Sequence, residues 1–142
     1  YEGWNPDKNK VPSLNHIMFG ECAAWLYKAV LGIFPDATEP GFKNIILKPN
    51  FINALDWVEG YHDSPYGRIL VKWKRGNGNV NYHVVVPANS TATICLPTPK
   101  GNAILESGKE ISKRKDISII SVTGETVTYR LMAGSYSFTV SQ

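Results

Sequence analysis

Hydrophobic and polar positions follow two different periods along this chain, and the change falls between residues 32 and 41. Before it, Met18, Cys22, Trp25, Leu26, Ala29, Val30 and Ile33 recur at the 3.6-residue spacing of one helix face, with Glu21 and Lys28 at the polar breaks. The spacing predicts an amphipathic helix over about 14–31. Ser13 is placed to cap its first turn, Gly32 to end it and Pro35 to prevent its continuation. Such a helix needs a surface to pack on.

Ile33 to Pro40 has prolines near both ends and no period of either kind, so it is read as a connection holding a domain boundary. Beyond it, apolar residues alternate. Ile69, Val71 and Trp73 share one face of a strand over 68–74, and Val80, Tyr82, Val84 and Val86 share one face of another over 80–86. The link Arg75-Gly76-Asn77-Gly78-Asn79 joins them as a hairpin. Further strand patterns cover 44–49, 57–61, 91–96, 117–122, 126–131 and 135–140, with a short hairpin around Ser107-Gly108. A series of about eight short strands predicts a mainly β fold: an antiparallel, jelly-roll-like sandwich preceded by one helix.

Composition narrows what such a chain can do. The 142 residues suffice for one domain, or for one domain and a fragment of another. No apolar run approaches the ~20 residues of a membrane span. The formal charge of +3 is spread over the length apart from Lys113-Arg114-Lys115, which argues against nucleic acid as a partner. The absence of an initiating Met, with Tyr1 inside a motif, reads as a cut or processed end. Cys22 and Cys95 form no CxxC pair, and each reads as a buried free thiol, with a disulfide between them as the alternative.

The chemistry-bearing residues gather near the start. Glu2 lies between Tyr1 and Trp4, a carboxylate among aromatic faces that suits a sugar, though a solvated glutamate near a chain end is the plainer reading. Asn15 and His16 follow at the start of the predicted helix, where multivalent hydrogen-bonding groups commonly face a cleft. His62, Asp63 and His83 match no common metal spacing, so no metal or cofactor is expected. Trp57, Tyr61 and Trp73 form a conceivable sugar-stacking platform, but Trp73 reads better as core and Trp57 as packing at the domain boundary.

Ser13-Leu14-Asn15-His16, Phe19-Gly20-Glu21, Trp25-Leu26-Tyr27, Gly32-Ile33 and Pro40-Gly41-Phe42, with the closing Gly134-Ser135-Tyr136-Ser137-Phe138, resemble the C-terminal region of bacterial α-L-rhamnosidases of glycoside hydrolase family 78. The resemblance implies the end of an (α/α)6 catalytic barrel over 1–35 and an accessory sandwich over 36–142. It implies Glu2 as the general base of an inverting hydrolysis and His16 as a sugar contact, with Trp4 and Asn15 as neighbours. It also implies a rhamnose-containing glycan or glycoside as substrate, an upstream barrel supplying the general acid, no obligatory cofactor, and a secreted or periplasmic setting. With that acid outside the sequence, the chain alone is expected to be inactive. An accessory carbohydrate-binding or structural module, or the end of another (α/α)6 inverting hydrolase, are the rival readings.

Overall fold

The computed structural model describes residues 21–99, 104–111 and 114–141. Ser13 and the first part of the expected helix lie outside the described residues. The helix α1 (Glu21–Trp25) runs on as a π-helical segment, Leu26–Leu31. Hydrogen bonds in such a segment reach one residue further than in an α-helix, so the 3.6-residue register lapses after Trp25. The stripe read from the sequence is not buried by the described residues: Trp25, Leu26 and Tyr27 are exposed, Val30 is half-buried, and Leu31 is covered. The helix ends as expected at Gly32, with φ of 72° and its N–H donating to the Tyr27 carbonyl. Asn50 Nδ2 donates to the Ala29 carbonyl at 3.2 Å, occupying another acceptor of the last turn.

Ile33–Pro35 is not a plain connection. It forms β1, paired antiparallel with β2 (Asn44–Leu47), Ile33 opposite Leu47. Three residues ending in a proline are too few to show alternation, which is why the sequence hid this strand. Ile33 belongs to the sandwich core rather than to the helix stripe.

The remaining strands are β3 (Trp57–Ser64), β4 (Gly67–Gly76), β5 (Asn79–Val86), β6 (Thr91–Pro97), β7 (Leu105–Glu106), β8 (Lys109–Glu110), β9 (Ile117–Thr123), β10 (Thr126–Leu131) and β11 (Gly134–Ser141). The longer ones follow the alternation except β9, where Ile117 alone is buried and Ile119, Ile120 and Val122 are exposed. Eleven strands are present among the described residues; β7 and β8 are the short hairpin expected around Ser107-Gly108, and β1 is the strand the sequence did not show. The β4–β5 turn is Asn77-Gly78, both left-handed at φ of 50° and 73°, the pair of conformations a two-residue hairpin requires.

Two sheets result, in the orders β1-β2-β6-β10-β9 and β3-β4-β5-β11-β7-β8. The pairing of β2 with β6 is parallel, a departure from the expected all-antiparallel sandwich. A parallel pair needs a long crossover, and here the crossover is the meander β3–β4–β5 in the other sheet. The last strand, β11, lies between β5 and β7, inside its sheet. Inner faces meet in one core: Ile45, Leu47, Ile94, Leu96 and Leu131 from the first sheet, and Ile69, Val71, Trp73, Tyr82, Tyr136 and Phe138 from the second. Phe51 closes one end, edge-on to Trp73 and Tyr82 at ring separations of 5.7 and 5.9 Å.

Candidate functional site

Glu2, Trp4, Asn15 and His16 all lie outside the described residues; among those described, two clefts gather where the helix meets the sandwich. Leu31 packs on the backbone of β3 at Gly60, where a Cβ would come within 2.6 Å of the leucine's Cδ1. Glycine at 60 therefore sets how closely the helix end approaches the sheet. His62 packs against Phe42 with ring centroids 4.4 Å apart, and Tyr27 meets its other side edge-on at 6.0 Å.

Two clefts flank the helix. One, about 390 Å³, opens between the helix and β3 and is walled by Leu26, Tyr27, Val30, Val58 and Tyr61, with Glu59 at its margin. The other, about 280 Å³, lies against β1 and is walled by Ala23, Ala24, Ile33, Phe42 and His62. Glycoside hydrolysis needs two carboxyl groups across the reacting bond. Among the described residues lining these clefts, Glu59 is the one carboxylate, and it is bound to Lys72 at 2.9 Å. The clefts supply apolar walls and no catalytic pair.

Other carboxylates are engaged in holding loops. Asp63 accepts from Arg68 Nε and Nη2 at 2.8 and 3.0 Å across the β3–β4 turn, and this hydrogen bonding keeps its carboxyl below the ordinary value. The buried Glu106 accepts from Arg114 at 2.8 Å, and the same guanidinium takes Asp116 at 2.8 and 2.6 Å, drawing the Asp116 carboxyl down. These clusters fix β-turns and a loop crossing the sandwich rather than framing a substrate. No three His, Cys, Asp or Glu side chains converge on a metal-sized point among the described residues.

The aromatic platform weighed from the sequence does not form. Trp73 is core, as expected, whereas Trp57 and Tyr61 point outward from β3. The Arg68 guanidinium already covers the Tyr61 ring at 3.8 Å. Trp57 is 62% exposed, so no boundary packing covers it among the described residues. Both cysteines are free, but Cys22 is exposed and Cys95 half-buried, in place of the two buried thiols expected. Cys95 points to the outer side of β6.

Sequence reasoning passed over the outward face of the second sheet, where Lys72, Lys74, Asn81 and His83 stand together. The alternation that put Ile69, Val71 and Trp73 on one face had already placed the lysines on the other.

Fold and clefts together define a two-sheet β-sandwich module with a helical lead-in and an incomplete complement of hydrolytic groups among its described residues. The chain belongs to the family of bacterial alpha-L-rhamnosidase C-terminal domains, whose model matches residues 32–110. It is 29% identical over 137 residues to an alpha-L-rhamnosidase of Formosa agariphila, covering 96% of this chain and 14% of that protein. It is 35% identical over 96 residues to an alpha-L-rhamnosidase of an Alteromonas species, covering 68% of this chain and 10% of that one. The chain therefore spans a small part of the length of these relatives. Among solved structures, the Streptomyces avermitilis alpha-L-rhamnosidase complexed with L-rhamnose shares the fold with a TM-score of 0.73 at 20% identity, over 90% of this chain and 12% of that one. The alpha-L-rhamnosidase from Dictyoglumus thermophilum does so with a TM-score of 0.75 at 24% identity, over 99% of this chain and 16% of that one.

Proposed function

We propose that this chain is the C-terminal portion of an inverting α-L-rhamnosidase that removes terminal non-reducing α-L-rhamnose from plant polysaccharides or glycosides. The observation that carries this is the length of the match to a named rhamnosidase: 137 residues, 96% of the chain. A match of that length takes in most of the polar and aromatic segment before Gly32 as well as the sandwich.

In this reading residues 1–35 end an (α/α)6 barrel and 36–142 form the accessory sandwich, with Ile33–Pro35 lending its backbone to the sandwich sheet. Glu2 is the general base: it takes a proton from the water that attacks the anomeric carbon, opposite the departing oxygen. A carboxylic acid elsewhere in the full-length protein protonates that oxygen, and the reaction needs no cofactor. His16, Asn15 and Trp4 contact the sugar, by hydrogen bonds from the first two and by ring packing from the third. Export to the periplasm or beyond the cell fits a polymeric plant substrate.

The test is Glu2→Ala in the full-length enzyme. Loss of a general base is expected to lower kcat by about 10²- to 10⁴-fold. Added azide, which needs no deprotonation, should restore turnover and give the β-configured rhamnosyl azide. An unchanged kcat removes Glu2 from the mechanism, and α-configured rhamnose as the first product seen by NMR removes inversion.

A further inference from the structure

Cross-strand register lines up two rows of side chains on the outward face of the second sheet. One row runs Trp57, Lys74, Asn81, Thr139 across β3, β4, β5 and β11; the next runs Glu59, Lys72, His83, Ser137. The β7–β8 turn, Ser107-Gly108, stands beside them as a wall, tied to the floor by the Ser107 N–H donating to the Ser137 carbonyl at 2.8 Å. Floor and wall enclose a cavity of about 240 Å³ lined by Lys72, Lys74, Asn81, His83, Ser137 and Thr139. That is smaller than the roughly 300 Å³ at which pockets for drug-sized ligands begin, and it suits one sugar ring better than a larger body.

The lining is chemically consistent. Asn81, His83, Ser137 and Thr139 each give and accept hydrogen bonds, as groups facing sugar hydroxyls must. They are already oriented by one another: Thr139 Oγ1 donates to Asn81 Oδ1 at 3.3 Å, and His83 Nδ1 lies 3.0 Å from Ser137 Oγ. The Asn81 amide N–H group has no partner among the described residues and remains available to a ligand. Two ammonium groups border the cavity and one carboxylate opposes them. Glu59 is held by Lys72 at 2.9 Å, while Lys74 has no carboxylate partner among the described residues. Trp57, next to Lys74 in its row, offers an open ring face one strand beyond the cavity, where C–H surfaces of an adjoining sugar would pack.

We propose that this face is a carbohydrate site which binds a saccharide unit bearing a negative charge, a carboxylate or a sulfate. Lys74 and Lys72 meet the anionic group, Asn81 and His83 the hydroxyls, and Trp57 the neighbouring ring.

Titration calorimetry on the full-length protein tests this with four probes that contain no rhamnose: oligogalacturonides, sulfated galactan oligosaccharides, neutral galacto-oligosaccharides and oligothymidylate. Binding of at least one acidic saccharide series is expected, without comparable binding of the neutral series or of oligothymidylate. Galacturonides alone would identify a carboxylate as the recognised group, and the sulfated series alone a sulfate. Lys74→Ala, at an exposed position where folding is not at stake, should weaken the acidic ligand about 10- to 100-fold, the worth of one hydrogen bond to a charged group. Asn81→Ala should weaken it as well, whereas Arg130→Ala, at an exposed position on β10 of the other sheet, should not. The proposal fails if neither acidic series binds, if the neutral sugars or oligothymidylate bind equally well, or if Lys74→Ala and Asn81→Ala leave the affinity unchanged.

Discussion

Asp36 shows how a single side chain on the surface can hold two segments in place. Its carboxylate accepts from the Thr38 N–H at 2.8 Å, the Thr38 hydroxyl at 2.7 Å and Asn44 Nδ2 at 2.7 Å, pinning the loop after β1 to the start of β2. Led by the Asn44 bond, these donors lower its pKa from 3.8 to about 2. A carboxyl whose pKa is lower in the folded than in the unfolded chain adds stability above the unfolded value and loses it as pH falls through the folded one. The contribution is therefore complete above about pH 4 and gone near pH 2. Urea midpoints of the native protein and Asp36→Asn should differ by a constant amount above that window and converge within it. A gap that persists unchanged to the acid end would contradict the assignment. The bonds from Thr38 are local, two residues on, whereas nothing in the sequence marks the bond from Asn44, which is set by where β2 begins.

Among the elements, legibility tracked length and regularity. The β4–β5 hairpin could be read directly, since alternating apolar residues and Asn-Gly turn chemistry point to the same register. β1 could not, because its reason for being a strand is the neighbour it pairs with and not its own pattern. The helix was legible in its end but not in its burial, for its apolar stripe, Cys22 and Trp25 included, is left uncovered by the described sandwich down to Leu31. Gly32 is where helix and sheet are joined. Its left-handed φ and the Lys48 carbonyl that would meet any Cβ are two separate demands, and the carbonyl belongs to backbone that cannot swing aside. Gly32→Ala is expected to cost at least about 2 kcal/mol, measured as a shift in the urea unfolding midpoint, and a neutral result would show that the junction can relax.

At the scale of the whole molecule, the sandwich was legible because two packed sheets are the ready solution for many short amphipathic strands. The proposed active site rests on motif residues alone, since Glu2 and His16 lie outside the described residues. The chain by itself is expected to release no detectable p-nitrophenol from the aryl rhamnoside, while the full-length enzyme does so. Measurable turnover by the purified 142-residue protein would show that a complete acid–base pair lies within it. The place of β11, between β5 and β7, carries one more consequence. The strand that comes last in the sandwich's own chain order is needed in the middle of the second sheet, so nearly the whole sandwich must leave the ribosome before that sheet can close. Until then Tyr82 and Val84 on β5 await Phe138 and Tyr136, and a stop codon ahead of Gly134 would remove the seam of the second sheet rather than trim its edge.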